Sequence, residues 1–240
     1  MVAVNILETK GLTKNYGGLD ANRDIDFTLP RGEIHALIGP NGAGKSTFVG
    51  MLSGRITATR GKVWFDGAEI TRLPAHKRIS LGIAYTFQIT SVFGKLPVRE
   101  NVALAVRRTL GRDRAAVRAK VDGVLERVGM TEQANQLAGD LSYGHQRVLE
   151  IAMGLAQNPE LFILDEPTQG LALPEVEAFK TLVRDLRGET TILLIEHNMN
   201  VVMEVSDSLT VLNNGEVLAR GTPDEIHANA AVQAAYLGGA

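Results

Sequence analysis

The chain has 240 residues, of which 45% are hydrophobic and 22% charged, and its formal net charge at pH 7 is −2. This is the balance of an ordinary globular protein, and without a basic excess we do not expect nucleic-acid binding through phosphate neutralisation. The absence of cysteine excludes disulfides, thiolate metal sites and cysteine nucleophiles. No signal-peptide pattern is visible, and no apolar run reaches the ~18 residues of a membrane span, so any membrane role is expected to be peripheral.

The first part of the chain contains strand patterns separated by turns. Apolar and polar residues alternate over residues 25–29, which predicts a half-buried strand. The apolar run at 34–38 predicts a buried strand that leads at once into a glycine-rich loop. Residues 63–65 stand before the pair Asp66-Gly67, which is typical of a hairpin.

The second part alternates buried strands with helices. The apolar runs at 161–164 and 191–195 predict two buried strands, as in a parallel sheet that is covered on both faces. Helical spacing of apolar residues spans 148–155 and 176–186, and Pro174 lies near the start of the second helix. Strands that alternate with helices predict an α/β fold.

Two further regions complete the predicted architecture. Residues 98–135 read as helical throughout, so the block from about 90 to 140 is predicted to be a helical subdomain inserted into the α/β sheet. Near the end, an Asn-Gly pair at 214–215 predicts a hairpin, and residues 222–225 form a helix capping box with proline at the first helical position. We expect residues 1–240 to form a single domain.

A phosphate-binding loop is predicted between the strand at 34–38 and a helix at 46–52. The sequence Gly-Pro-Asn-Gly-Ala-Gly-Lys-Ser fits the GxxxxGK[ST] pattern, in which backbone N–H groups and a helix N-terminus face the phosphates. We expect Lys45 to contact the β- and γ-phosphates and the Ser46 hydroxyl to bind Mg²⁺. The predicted nucleotide-binding residues are Gly39, Pro40, Asn41, Gly42, Ala43, Gly44, Lys45, Ser46 and Thr47. The motif alone indicates only a nucleoside triphosphate, because kinases and GTPases share it.

An acidic pair follows the apolar strand at 161–164. Next to a phosphate loop, Asp165 is expected to hold Mg²⁺ through water, and Glu166 to act as the general base for the attacking water. Without such a loop, an acidic turn that ends at Pro167 would explain the pair equally well.

Residues 141–146, Leu-Ser-Tyr-Gly-His-Gln, resemble the L-S-G-G-Q signature of ATP-binding-cassette (ABC) ATPases and precede the acidic strand, in the order of that family. Three single residues also fall at family positions. Tyr16 resembles the aromatic residue that stacks on adenine, Gln88 the Q-loop glutamine and His197 the switch histidine. Taken alone, these would be a strand or turn aromatic, a surface glutamine and a capping or core histidine, and Ser142 would be the N-cap of a predicted helix at Gln146–Ala156. Their joint order over essentially the whole chain favours the ABC interpretation.

The resemblance implies an ABC-type P-loop NTPase fold, with a mainly parallel sheet core, an N-terminal antiparallel β part and an inserted helical subdomain. It implies ATP and Mg²⁺ as ligands, with Gln88 as a metal ligand beside Ser46 and Asp165. The implied catalytic residues are Glu166, His197, which stabilises charge on the γ-phosphate, and Gln88, which reports the nucleotide state to the helical insert.

The resemblance also implies a dimer of ATPase subunits that shares its ATP sites. Ser142, the Gly144 N–H and the helix N-terminus would cradle the γ-phosphate bound by the facing subunit. The implied partners are a second ATPase subunit, transmembrane permease subunits and, indirectly, a solute-binding protein, with the chain peripheral at the cytoplasmic face of the membrane. Phe93, Leu96 and Val98 are candidate contacts with a membrane subunit, although subdomain core explains them equally well.

Within the family, the sequence looks most like the ATPases of branched-chain amino-acid importers and their relatives for urea and amides. The stretches that carry this likeness are IGPNGAGKSTF (38–48), LSYGHQRVLEIA (141–152), LLIEHNMNVVM (193–203) and VLARGTPDEIHANAAVQAAYLG (217–238). Three residues depart from the common pattern. Tyr143 replaces the first signature glycine, as this subfamily often does, and His145 stands where glutamine is usual. Ala172 stands where many members have aspartate, which leaves the polar contact of that loop across the dimer open.

Other functions remain open from the sequence. Lipopolysaccharide-export ATPases have a similar length and motif order, and a soluble, non-transport ABC ATPase of the cluster-assembly type is a further alternative. A P-loop kinase would not explain residues 141–146. The basic residues of the helical block favour a solvated helix face over a patch for acidic lipids or a partner; they are Arg107, Arg108, Arg112, Arg114, Arg118 and Lys120.

Overall fold

The computed structural model describes residues 4–86, 91–111 and 113–237. The strands in chain order are β1 (Asn5–Tyr16), β2 (Leu19–Pro30), β3 (Ile34–Ile38), β4 (Arg60–Phe65), β5 (Ala68–Glu69), β6 (Ile83–Tyr85), β7 (Leu161–Asp165), β8 (Thr191–Ile195), β9 (Ser208–Asn213) and β10 (Glu216–Gly221). The helices are α1 (Lys45–Ser53), α2 (Ala75–Ser80), α3 (Val98–Leu110), α4 (Arg114–Arg127), α5 (Tyr143–Leu155), α6 (Leu173–Asp185), α7 (Met199–Val205), α8 (Pro223–His227) and α9 (Ala230–Leu237).

An antiparallel sheet forms the N-terminal part, in the strand order β2-β1-β4-β5. Ile25, Phe27 and Leu29 of β2 are buried, as their alternation with polar residues predicts. Asp66 and Gly67, in the turn between β4 and β5, have φ values of 48° and 74°. Positive φ at both central residues matches the twist of a tight hairpin, so both sequence predictions are confirmed.

A second sheet of six strands forms the core, in the order β10-β9-β3-β8-β7-β6. Among the strand pairs that the structure describes in this sheet, β9 and β10 form an antiparallel hairpin and the other pairs run parallel. Every residue of β3, β7 and β8 is buried, which explains why their sequences are continuous apolar runs. The predicted α/β fold with a mainly parallel sheet is confirmed.

The register of the parallel strands brings three loops together. Leu37 of β3 pairs with Ile195 of β8, and Ile195 pairs with Asp165 of β7. The carboxyl ends of the three strands therefore lie side by side, at the edge where open α/β sheets bind ligands.

A helical unit is built from α3, α4 and α5, which enclose an apolar core of their own. This core includes Val102 and Val106 of α3, Val121 and Leu125 of α4, and Leu149 of α5. Because the sheet lies on the other side of α5, this helix joins the helical unit to the core sheet. In the part of the chain that the structure describes, no helix is long and apolar enough to span a membrane.

The prediction of helix throughout 98–135 is wrong in two places. Helix α3 ends at Leu110 because Gly111 takes a positive φ of 63°. Asp113 then caps α4 by accepting hydrogen bonds from two backbone N–H groups. Helix α4 ends at Arg127. Gly129 then takes a positive φ of 70°, and a series of turns follows. Apolar spacing alone did not reveal these ends, because the residues beyond them still pack in the same core.

The predicted ends of two other helices need smaller corrections. The helix after the phosphate loop begins at Lys45, one residue earlier than predicted, and α5 begins at Tyr143. We predicted the start of α5 at Gln146. The earlier start follows from Ser142, whose side chain accepts a hydrogen bond from the third residue of the helix.

We expect Gly154→Ala to destabilise the protein. A Cβ atom at this position of α5 would collide with the ring of Phe162 in β7, so helix and sheet would have to move apart. Such overpacking costs about 1–3 kcal/mol, measurable by urea unfolding. Gly123→Ala in α4 is the matched control: a Cβ there has nothing within 4 Å, and helix propensity predicts a gain of about 0.5–1 kcal/mol. Equal stabilities of the two variants would contradict the packing of α5 on β7.

Candidate functional site

The glycine-rich loop after β3 curls tightly before α1. Gly39 and Gly44 have φ values of 150° and 96°. Cβ atoms at these positions would collide with the backbone oxygens of Leu212 and Ala21, respectively. The loop therefore needs glycine both for its backbone conformation and for its close approach to neighbouring strands.

Two neighbouring elements hold this loop from outside. Asn22 of β2 is fully buried, and its side-chain Nδ2 donates to the Gly44 carbonyl at 3.2 Å. On another side, the Gly215 N–H in the β9–β10 turn donates to the Ala43 carbonyl at 3.1 Å. The phosphate loop is thus fixed between the antiparallel sheet and the edge hairpin of the core sheet.

The ammonium group of Lys45 closes the loop. Its Nζ donates to the carbonyls of Gly39 at 2.6 Å and Pro40 at 3.1 Å. Burial lowers the pKa of Lys45, and the nearby carboxylates of Glu166 and Asp165 oppose this shift. The lysine is therefore a cation held at the centre of the loop, close to both acidic residues.

An open cavity of about 680 Å³ lies over the loop. Residues 41–47, Glu166 and the turn at 214–215 line it, together with parts of the β1–β2 connection from Gly18 onward. Tyr16 lies two residues before that wall, half-exposed, with Lys14 Nζ 4.8 Å from its ring centroid. Tyr16 is close in sequence to residues that line the cavity but does not line it itself. Its stacking on adenine therefore stays a prediction.

The carboxylate of Asp165 lies at the end of β7, in contact with the end of β6. Its Oδ2 accepts a hydrogen bond from the hydroxyl of Tyr85, which in turn accepts one from Arg55. The Arg55 guanidinium also lies over the Tyr85 ring, 4.0 Å from its centroid. Burial raises the pKa of Asp165, against the effect of the Tyr85 hydrogen bond, and burial also raises the pKa of Tyr85.

Glu166 and His197 face each other across the ends of β7 and β8. Glu166 takes a positive φ of 48°, and its N–H donates to the Ile195 carbonyl at 2.9 Å. Its Oε1 lies 3.8 Å from Nδ1 of His197. A carboxylate, an imidazole and the lysine of the phosphate loop therefore meet at one edge of the sheet.

A buried carboxylate joins the loops that follow these two strands. Oε1 of Glu196 accepts hydrogen bonds from the N–H of Thr168, at 3.0 Å, and from its hydroxyl. Oε2 accepts the N–H groups of His197 at 3.0 Å and Asn198 at 3.1 Å. Glu196 thus fixes the position of His197 relative to the loop after Glu166.

Ser142 caps the N-terminus of α5, away from the cavity of the phosphate loop. Its Oγ accepts the backbone N–H of His145 at 3.2 Å and lies 2.9 Å from Nδ1 of the same residue. Gly144 is buried, and a Cβ there would collide with the carboxylate of Glu175. Neither Ser142 nor Gly144 lines the cavity formed by their own chain.

A buried arginine of α5 ties the two motifs together within one chain. Arg147 donates to the carbonyl of Asp165 and, at 2.9 Å, to that of Glu166. It also pairs with the buried Glu150 at 2.8 Å. The helix that Ser142 caps is therefore bonded to the backbone of both acidic residues.

Comparison with known proteins decides what this arrangement is. A family described as "ABC transporter" matches residues 22–169. The chain belongs to the ABC transporter ATPase family. A further family, "Branched-chain amino acid ATP-binding cassette transporter", matches residues 216–240.

Several relatives of this ABC ATPase are similar over nearly their whole length. The high-affinity branched-chain amino acid transport ATP-binding protein BraF of Pseudomonas aeruginosa is 40% identical, covering 97% of this chain and 98% of its own. The LivG protein of Escherichia coli, of the same description, is 39% identical with the same coverage. The lipopolysaccharide export system ATP-binding protein LptB of Haemophilus influenzae is 34% identical, covering 98% of both chains.

Solved structures of ABC cassettes have the same fold. A cassette of an ABC transporter superposes with a TM-score of 0.89 at 26% identity, covering 97% of this chain and 99% of its own. A dimeric post-hydrolysis cassette bound to ADP and Pi superposes with a TM-score of 0.82 at 25% identity, covering 90% and 98%.

The other residues that the sequence of this ABC ATPase singled out do not line the cavity, where the structure describes them. Gln88 lies outside the described residues. Val98 is buried in the core of the helical unit, so core packing explains it, whereas Phe93 is 55% exposed and Leu96 is half-buried. Most of the described basic residues of α3 and α4 are exposed, and Arg107 and Arg118 pair with carboxylates of their own helices, as on a solvated face. Arg112 also lies outside the described part.

Two departures from the signature pattern have visible contacts. The Tyr143 ring lies against Gly170, where a Cβ would be 2.8 Å from Cε1 of the ring. Ala172 precedes α6 without a capping side chain, and Glu175 instead accepts its backbone N–H at 2.8 Å.

Sequence reasoning missed four residues that build this site. Asn22 and Tyr85 gave no signal, because their partners lie far away along the chain. Glu196 and Arg147 did give one: each is a charged residue next to an apolar pattern that predicts burial, and buried charges require partners.

We expect Glu196→Gln to lower the free energy of unfolding by about 1–3 kcal/mol. The carboxylate of Glu196 accepts hydrogen bonds from backbone N–H groups through both of its oxygens. An amide replaces one of these oxygens with an NH₂ donor, so buried N–H groups lose their acceptor. Because Glu196 fixes His197, ATP hydrolysis should fall as well. Urea unfolding and an ATPase assay measure the two effects. Glu132→Gln, at an exposed position that does not line the cavity, is the control and should leave both unchanged. A wild-type result for Glu196→Gln would exclude a structural role for this carboxylate.

Proposed function

We propose that this ABC ATPase powers an importer for branched-chain amino acids or a related small polar solute. The observation that carries the proposal is the meeting of the phosphate loop, Glu166 and His197 at one edge of the sheet. The similarity to BraF and LivG, and the family match at 216–240, support the choice of solute. Lipopolysaccharide export is the second candidate, because LptB is also similar over the whole chain.

ATP binding is assigned to the loop at 39–47. Its backbone N–H groups and the N-terminus of α1 would surround the phosphates, and Lys45 would exchange its two carbonyl partners for the β- and γ-phosphate oxygens. Tyr16 would stack on the adenine from the end of β1.

The site suits Mg²⁺ that is held mainly by phosphates. The described residues contain no group of three or more His, Cys, Asp or Glu side chains that could hold a metal by themselves. The site offers the hydroxyl of Ser46 and the carboxylate of Asp165, which are the hard oxygen ligands that Mg²⁺ accepts alongside phosphate and water. Gln88 is the further proposed ligand. Bound Mg²⁺ would neutralise charge on the phosphates.

Hydrolysis is assigned to Glu166 as the general base for water. Its position beside His197 allows the imidazole to stabilise charge on the γ-phosphate while the carboxylate takes the proton of the attacking water. Gln88 would report the nucleotide state to the helical unit.

The site is proposed to need a second ATPase subunit. Within one chain, Ser142 and Gly144 do not line the cavity of the phosphate loop, yet they stand at a helix N-terminus that suits an anion. In a dimer they would contact the γ-phosphate bound by the other subunit. The dimeric cassette of similar fold supports this arrangement.

The chain is proposed to act at the cytoplasmic face of the membrane through permease subunits. The exposed Phe93, beside the helical unit, is the best remaining candidate for a permease contact. A solute-binding protein would act indirectly, through the permease.

Mixed dimers test the shared site. Lys45→Ala and Ser142→Arg should each inactivate a homodimer. Mixing the two chains should restore part of the ATPase activity, because one composite site then combines an intact loop with an intact Ser142. Steady-state ATPase assays and nucleotide trapping at a single site measure the recovery. Full activity of the Ser142→Arg homodimer would disprove the shared site.

Uptake tests the solute and the direction of transport. Cells that lack this chain should lose uptake of radiolabelled leucine, and the wild-type gene should restore it. Glu166→Gln should restore almost none, because loss of a general base lowers rates by ~10²–10⁴-fold. Normal leucine uptake with a defect in surface lipopolysaccharide would instead favour the export function.

A further inference from the structure

The signature serine of this chain is bonded twice to one residue. Ser142 Oγ accepts the backbone N–H of His145 at 3.2 Å and lies 2.9 Å from the Nδ1 atom of its ring. A histidine at this position replaces the usual glutamine, so the ring contact is a feature of this sequence.

The hydroxyl group has too few hydrogens to serve every partner. It carries one hydrogen and two lone pairs, and the backbone N–H of His145 uses one lone pair. If Nδ1 is bare, the contact at 2.9 Å requires the hydroxyl to donate its hydrogen to the ring. If Nδ1 carries a hydrogen, the ring donates into the second lone pair, and the hydroxyl hydrogen becomes available to another acceptor.

We propose that His145 is a positioning residue that sets the direction of the Ser142 O–H bond. With a hydrogen on Nδ1, the ring turns the hydroxyl toward the γ-phosphate of the nucleotide held by the facing subunit. With a bare Nδ1, the ring takes the hydrogen that the phosphate needs. This inference rests on the proposed contact of Ser142 with the other subunit's ATP.

Several charged side chains surround His145, and they are the same in the parent and in the His145 variants. Its ring lines a groove with Glu126 and Arg127 of α4 and with Glu175 and Asp185 of α6. On α5 itself, Arg147 and Glu150 form a buried pair with each other. A pH effect that disappears when only His145 is replaced therefore belongs to its ring.

The test measures ATP-driven dimerisation in a Glu166→Gln background, where ATP persists. Analytical ultracentrifugation with Mg-ATP gives the dimer dissociation constant between pH 6 and pH 8.5. The parent should dimerise more tightly at the low end, where a ring with hydrogen on both nitrogens leaves the Ser142 hydroxyl hydrogen to the phosphate; one gained charge-assisted hydrogen bond at each of the two composite sites corresponds to about a hundredfold. Adding H145A or H145Q should remove this gain, whereas any pH dependence that comes from His197 or from the nucleotide remains in every variant.

The H145A profile separates positioning from a structural role. At pH 8.5, H145A should dimerise at least as tightly as the parent, because no ring then competes for the hydroxyl hydrogen. At pH 6 it should dimerise about a hundredfold more weakly, since the gained donor is missing from both composite sites. A structural role would instead weaken dimerisation by the same factor at every pH, and that result overturns the proposal. If H145A does not fold, the loss of the low-pH gain in H145Q carries the same test.

Two controls complete the design. H76Q replaces an exposed histidine of α2 and should keep the profile of the parent. In an S142A background, H145A should change nothing, because there is no hydroxyl to orient. A pH effect that persists there would mean that the ring acts on phosphate directly, which contradicts the proposal.

The proposed function and this inference fail differently. If the Glu166→Gln parent binds a fluorescent ATP analogue but does not dimerise with ATP, the shared site is wrong and the role of His145 falls with it. If the parent dimerises with ATP and H145A leaves its pH profile unaltered, only the role of His145 is wrong.

Discussion

The parallel register of β3, β8 and β7 is the constraint on which the site depends. Leu37, Ile195 and Asp165 stand side by side across the three strands, so the chain leaves the sheet three times within a short distance. The first exit forms the phosphate loop, the second leads to His197 and the third to Glu166. A shift of one residue in any strand would move each buried side chain to the opposite face of the sheet, where a different part of the core packs, and would separate these groups. The complete burial of all three strands therefore resists such a shift.

Two buried charged residues connect the exits to the rest of the molecule. Glu196 accepts backbone hydrogen bonds from the loop that follows β7 and from the loop that follows β8. From α5, Arg147 donates hydrogen bonds to the carbonyls of Asp165 and Glu166. Because α5 also packs in the core of the helical unit, Arg147 connects that unit to the backbone of the acidic pair. The tie runs through hydrogen bonds to main-chain atoms, so it positions the acidic residues without occupying their side chains.

Much of the core could be predicted because its signals are local. Fully buried strands are short apolar runs, and the phosphate loop at 39–46 is a contiguous pattern between a strand and a helix. The partners of Tyr85 and Asn22 could not be predicted, since they depend on which strands become neighbours. The prediction of helix throughout 98–135 failed for another reason. The turns after Arg127 bury Met130 in the same core, so the apolar spacing continues beyond the end of the helix. The placement of Tyr16, Gln88 and Ser142 relative to a bound nucleotide stays a prediction.

The contacts of Lys45 have a consequence for the strength of nucleotide binding. Its ammonium group already has two carbonyl acceptors from the loop that it closes. In the proposed binding mode a nucleotide would displace these acceptors, so its affinity would reflect the difference between two sets of hydrogen bonds and not the full attraction between ammonium and phosphate. The same two hydrogen bonds hold the loop in its curled shape, which would lower the entropy cost of ordering its glycines around a phosphate.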